Sequence, residues 1–130
     1  MRILVVDDDY VSRTKLKKLL NEFGDCDVAP DGEIALKMFE KSHEESVPYA
    51  LISLDIAMPG MQGQDVLKKI REYETRQKVE EEDWVKVLMV TVKNEIKSVS
   101  TSYYEGCEGY LVKPVNREKL EDALKEMKFI

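Results

Sequence analysis

The chain has 130 residues, 20 of them basic and 26 acidic, for a formal charge of −6, and 43% are hydrophobic. That is the size of one domain (1–130), which can bury roughly two-thirds of its unfolded surface without help from a disulfide or a metal. Two cysteines, Cys26 and Cys107, make neither a secreted disulfide framework nor a zinc-type spacing, and read as reduced packing thiols. The apolar stretches are too short to span a bilayer, and the opening MRILVVDDD is not the apolar core of a signal peptide. An acidic balance without a basic stripe argues against nucleic acid as a direct ligand. The expectation is a cytoplasmic protein with no membrane insertion.

Strand-like and helix-like segments alternate along the chain. Residues 3–6 are a short β-branched run that stops at Asp7 and reads as a buried strand. From Tyr10 to Phe23, Val11, Leu16, Leu19, Leu20 and Phe23 recur at helical spacing, with Gly24 as the expected C-cap. A weaker strand around 26–29 precedes Asp31-Gly32, after which Ile34, Ala35, Met38 and Phe39 give a second amphipathic helix. Residues 49–54 form the third predicted strand, ending at Asp55. Pro59-Gly60 and Gly63 mark a loop before a helix carrying Val66, Leu67, Ile70 and Tyr73. Residues 85–90 are the fourth strand, 94–105 a polar fourth helix, and 109–112 the fifth strand. Leu120, Ala123, Leu124 and Met127 mark the apolar face of a terminal helix.

Strands separated by helices of this length require crossover connections, hence a parallel sheet with helices on both faces: a doubly wound, five-stranded α/β fold. Ligands of such sheets bind beyond the carboxyl ends of the strands, where strand order reverses. Asp7 and Asp8 follow the first strand, Asp55 the third, Thr91 the fourth and Lys113 the fifth, so every candidate chemical group shares one edge. Carboxylates gathered there repel one another and stay ionised together only beside a cation. With oxygen donors and no neighbouring His or Cys, Mg²⁺ suits the set better than a transition metal. A carboxylate beside Mg²⁺ can accept a phosphoryl group while a lysine and a hydroxyl hold its oxygens, roles that fit Asp55, Lys113 and Thr91.

Taken singly, each piece has a plainer reading: DDD as a helix cap or turn, Lys113 as a surface residue, Thr91 as a strand-end hydroxyl, Tyr110 as core. Together, the acidic pair in VVDDD, Asp55 in LDIAMPGMQG, Thr91 ending VLMVT, and Lys113-Pro114 in GYLVKP resemble the receiver domains of two-component response regulators. The resemblance extends over essentially the whole chain and is chemotaxis-regulator-like, with the chain a stand-alone receiver or an excised one. It implies the flavodoxin-like (βα)5 fold with strand order 2-1-3-4-5. It also implies Asp55 as phosphoacceptor and Mg²⁺ held by Asp7, Asp8, Asp55 and the main-chain carbonyl of Ala57, with Asp8 the direct ligand of the acidic pair. Thr91 would reach the phosphoryl group, Tyr110 would be the coupled aromatic switch, and Lys113 would contact a phosphoryl oxygen, its bond to Pro114 cis. The implied donor is a histidine kinase or histidine phosphotransfer protein. The implied output is an effector or a second copy, met through the face formed by the fourth helix, fifth strand and fifth helix. The only chemistry is on the chain's own aspartate, so no enzyme in the usual sense is expected.

Several residues depart from the family pattern. Val92 stands where a very small residue is common and restricts access to Asp55. Ala57 and Lys93 are expected to set the lifetime of the phosphorylated state. Ser98, Ser100, Thr101 and Ser102 make the fourth helix either a labile switch element or an ordinary solvated one. His43 reads as solvated. Residues 72–83 lengthen the connection before the fourth strand, as a solvated linker or extended helix end. Arg13, Lys15, Lys17 and Lys18 are solvated by default but lie on the helix that borders the phosphodonor surface in the family. Two other functions compete: a phosphorylation-independent binding module, and a haloacid-dehalogenase-like phosphatase with Asp7 as nucleophile and Asp9 as acid/base. The second leaves Asp55 unexplained.

Overall fold

A computed structural model of the chain describes residues 1–92 and 106–130. The strands are β1 (Arg2–Val6), β2 (Asp25–Ala29), β3 (Leu51–Asp55), β4 (Lys86–Thr91) and β5 (Gly109–Val112). The helices are α1 (Tyr10–Leu20), α2 (Gly32–Glu44), α3 (Gly63–Arg76) and the terminal helix α4 (Arg117–Glu126), with one 3-10 turn at Glu81–Asp83. The predicted helix over 94–105 and Lys93 lie outside the described residues. No helix among the described residues is long and apolar enough to cross a membrane.

The five strands form one parallel sheet in the order β2-β1-β3-β4-β5. Successive residues of a strand point to opposite faces, so a strand covered on both sides must be apolar throughout. In β1, Leu4 and Val6 join Ile52, Leu54, Val87 and Met89 beneath α2 and α3, where Phe39, Leu67 and Ile70 close the layer. Ile3 and Val5 join Leu51, Leu88 and Val90 on the other face, against Leu16 and Leu20 of α1, Leu120 and Leu124 of α4, and Met127 at the C-cap of α4. The expected α/β class, strand order and terminal apolar face are all present.

Local differences have physical reasons. Helix α1 ends at Leu20 with Asn21 as its C-cap, so Phe23 and Gly24 lie beyond it. Gly24 instead lies just before β2, against the residue that precedes β1: a Cβ there would sit 2.6 Å from the Met1 carbonyl oxygen. Val11 and Ile34 are exposed, because α1 turns Leu16 and Leu20 inward and α2 turns Ala35 and Phe39. His43 is not simply solvated: its ring packs edge-on against Phe39 at 4.9 Å and lies 5.5 Å from Tyr73, and burial lowers its pKa. Tyr110 is 52% exposed, which sets aside the core reading. Asp9, Asp31 and Asn116 cap α1, α2 and α4, each accepting from a main-chain N–H three residues on.

Candidate functional site: a carboxylate cluster at the sheet edge

The chain leaves β1 for one edge of the sheet and later crosses to β3 on the other side, so the cleft between the ends of β1 and β3 is the switch point. Asp7 follows β1 there and is fully buried, Asp8 beside it is exposed, and Asp55 ends β3 at 7% exposure. One carboxylate oxygen from each of the three lies within 4.8 Å of the others. The end of β5 brings in Lys113, whose Nζ stands 3.0 Å from Asp7 Oδ2 and 3.8 Å from Asp55 Oδ1. The Lys113–Pro114 peptide bond is cis.

Asp7 is held on every side. Its Oδ1 accepts from the Asp9 N–H (2.9 Å), its Oδ2 from Lys113 Nζ, and its main-chain carbonyl from Arg13 Nη1 (2.8 Å). Arg13 also stacks 5.5 Å over the Tyr10 ring. On sequence grounds Arg13 is an ordinary solvated position; its place one turn into α1, on the face looking back at the β1 end, was the available signal.

Asp55 is less well served. Burial, the neighbouring Asp7 charge and a hydrogen bond with Asp8 push its carboxyl up to about 7, against the opposing pull of Lys113. Burial disfavours the Lys113 ammonium, but the hydrogen bond to Asp7 and the charge of Asp55 prevail and hold its pKa above the ordinary lysine value. Among the described residues, three carboxylates therefore share one close ammonium. Hard oxygen donors gathered with an excess of negative charge fit a divalent cation such as Mg²⁺.

Thr91 ends β4, fully buried, and pairs with Val112 of β5. Its hydroxyl contacts the Val92 carbonyl at 3.2 Å, and its own carbonyl accepts from the Lys113 N–H at 2.7 Å. Ala57 is exposed in the turn that follows Ile56. That turn runs directly into α3, whose first residue is Gly63, so Gly63 belongs to the helix rather than to the loop expected there. A Cβ on Gly63 would sit 2.9 Å from the Ile56 Cα and collide with the Asp55 carbonyl oxygen. Beside the cluster, Val11, Ser12, Val92, Lys113, Pro114 and Val115 line a groove of about 440 Å³. Val92 is 41% exposed there.

A second charged cluster, which sequence reasoning missed, ties α3 to the opposite end of the sheet. Glu74 is fully buried and receives Arg71 Nη1 at 2.7 Å and the Val85 N–H at 2.8 Å. Its signal was its position one turn after Ile70 on the apolar face of α3.

Comparison with known proteins identifies the family. Residues 3–125 match the family model of the response regulator receiver domain. The chain is 35% identical over 126 residues to chemotaxis protein CheY-3 of Vibrio cholerae, covering 95% of this chain and 88% of that protein. Among solved structures, Vibrio cholerae chemotaxis protein CheY4 superposes with a TM-score of 0.79 at 26% identity, covering 97% of both chains. A CheX–CheY–BeF3–Mg²⁺ complex from Borrelia burgdorferi, at 24% identity, shares the fold with a TM-score of 0.82 over 100% of this chain and 90% of that one. With a parallel sheet in the order 2-1-3-4-5, an acidic cluster at its switch point and a family match over nearly its whole length, the chain belongs to the response regulator receiver domain family of two-component signalling.

Proposed function

We propose that the chain accepts a phosphoryl group on Asp55 from a histidine kinase or histidine phosphotransfer protein, in a Mg²⁺-dependent reaction, and passes the change to a partner-binding face. The observation that carries this reading is the meeting of Asp7, Asp8, Asp55 and Lys113 at one sheet edge. Asp7, Asp8 and Asp55, with the main-chain carbonyl of Ala57, would hold the cation. When bound, Mg²⁺ supplies positive charge that keeps the carboxylates ionised and offsets charge developing on the transferred oxygens.

In the transfer, an ionised Asp55 oxygen attacks phosphorus. A P–O bond forms as the P–N bond to the donor imidazole breaks, and the imidazole nitrogen keeps the electron pair and takes a proton from water. Lys113, already 3.8 Å from Asp55, is within reach of a transferred oxygen with little movement. Thr91 offers its hydroxyl from the neighbouring strand end. Lys113 would exchange part of its contact with Asp7 for the phosphoryl group, and the exposed Tyr110, three residues earlier on β5, would report that exchange at the surface. The turnover is chemistry on the chain's own side chain rather than on a separate substrate. The exposed Val92 in the groove favours a protein donor, which can seat against Val11 and Pro114, over a small free one.

Intact mass spectrometry after incubation with Mg²⁺ and acetyl phosphate tests the reading. One phosphoryl adduct is expected in the wild type and none in Asp55→Asn or after chelation. An adduct that persists in Asp55→Asn would move the acceptor to another residue. No adduct from either acetyl phosphate or a phosphorylated histidine phosphotransfer protein would leave a phosphorylation-independent binding module.

A further inference from the structure

Four elements of the chain meet at Arg71, far from the acidic site along every strand. Its Nη1 donates to Glu74 Oε1 (2.7 Å) and to the Val85 carbonyl just before β4 (2.9 Å). Its Nη2 donates to both oxygens of Glu108 (2.9 and 3.0 Å), and Nε and Nη2 both reach the Gly106 carbonyl (3.1 and 2.9 Å). Glu108 in turn accepts from the Val87 N–H at 2.6 Å, and Glu74 from the Val85 N–H at 2.8 Å. The guanidinium lies 5.3 Å over the ring of Trp84, the chain's one tryptophan. All three guanidinium nitrogens are engaged, in a fork that a lysine cannot reproduce.

Residues 106–108 lead directly into β5, a strand of only four residues at the edge of the sheet. Just past its far end is Lys113, whose main-chain N–H is bonded to the Thr91 carbonyl and whose ammonium is bonded to Asp7. Thus β5 is tied at one end to the acidic site and at the other to Arg71, with exposed Tyr110 between. We propose that the Arg71–Glu74–Glu108 cluster is a fixed anchor for β5, and that Arg71 is a positioning residue for the Tyr110 response. The proposal rests on the receiver reading above and deepens it. A pull on Lys113 can appear as a local change at Tyr110 only if the other end of the strand stays put. With that end released, the same pull is spent on sliding a short edge strand that has a neighbour on one side only. The cluster is a physically continuous link of the kind coupling requires, and its charges already have partners, so it has no reason to rearrange when the distant site changes.

The test uses the full chain with Mg²⁺ and beryllofluoride as the phosphoryl probe, and reads three quantities. Beryllofluoride affinity reports the site. The ring resonance of ¹³C-labelled Tyr110, assigned with Tyr110→Phe, reports the response. Trp84 emission reports the anchor. In the wild type the Tyr110 resonance is expected to shift on saturation while Trp84 emission stays constant. In Arg71→Gln the affinity is expected to stay within about twofold while the Tyr110 shift falls by more than half. Glu108→Gln, which keeps the side-chain shape, is expected to show a smaller loss of the same kind and decides the matter if Arg71→Gln does not fold. A full Tyr110 shift in the variants overturns the proposal, as does a tenfold loss of affinity that accompanies the lost shift, or Trp84 emission that follows beryllofluoride. If the wild type binds beryllofluoride without a Tyr110 shift, the anchor proposal fails alone. If it binds none, the receiver reading fails and takes the proposal with it.

Discussion

The acidic site and the Arg71 cluster stand at opposite ends of the same sheet, and both bury carboxylates, yet they treat charge differently. At the Arg71 end, Glu74 is buried with Arg71 Nη1 on one oxygen and the Val85 N–H on the other, and the arginine has no unused nitrogen. At the other end, three carboxylates share one close ammonium among the described residues, and burial beside Asp7 pushes the Asp55 carboxyl up to about 7. One cluster is complete in its hydrogen bonds as the chain folds, although Glu74 and Glu108 share one guanidinium; the other, among the described residues, is shorter still of positive charge. A binding site for a cation and a phosphoryl group has to be short in this way, because charge balanced within the protein leaves nothing for the ligand to do.

Breaking the complete cluster should have the largest effect on stability. Arg71→Met leaves Glu74 buried without its counter-ion, and urea unfolding should show a loss of about 3–5 kcal/mol. Breaking the deficient cluster should do the reverse. In Asp55→Asn the repulsion with Asp7 and the burial of a charge are both removed, so the metal-free variant should be more stable than the wild type at neutral pH, by roughly 1–3 kcal/mol. The pH dependence follows from the same residue. The folded chain holds the Asp55 proton up to about pH 7, while the unfolded chain releases it near the ordinary value of 3.8. Between these limits the folded state binds more protons, so the Asp55 contribution is fully present below about pH 4 and is lost as the pH rises through 7. Thermal melts of metal-free protein across this window should fall more steeply in the wild type than in Asp55→Asn, and Mg²⁺ at pH 7 should recover the wild type but not the variant. The smallest effect belongs to a pair with neither burial nor a network. Arg117 and Glu22 stand 3.2 Å apart with 67% and 45% of their side chains exposed, and Arg117→Ala should change stability by less than about 0.5 kcal/mol.

The two ends were not equally legible in the sequence. The acidic site announces itself because every contributing residue ends or follows a strand, and a parallel sheet brings all such positions to one edge whatever the details of packing. Asp7, Asp55, Thr91 and Lys113 needed only the strand pattern to be brought together, and the β-branched runs made that pattern plain. The Arg71 cluster depends on which side of α3 faces the entry to β5, something a helical wheel suggests for Glu74 but cannot say for Glu108, 34 residues further along. Exposure at single positions was hidden for a related reason. Val11, Ile34 and Tyr110 are apolar or aromatic residues in amphipathic or apolar segments, and only the helix rotation or the edge position of β5 decides that they face outward. His43 went the other way, since its partner Tyr73 comes from a different helix.

The contact between Gly63 and the end of β3 extends the site beyond the residues that do its chemistry. A methyl group at this position has nowhere to go except into the Asp55 carbonyl and the Ile56 backbone, so helix α3 and the acceptor aspartate cannot be adjusted separately. Inherited variation will therefore fall unevenly between the loop and the first residue of α3. Gly60, with open space around it, is held only by its backbone angle, while the glycine three residues later is subject to the same scrutiny as the aspartate itself. A change there would look, in a record of phosphorylation defects, like a lesion in the acceptor.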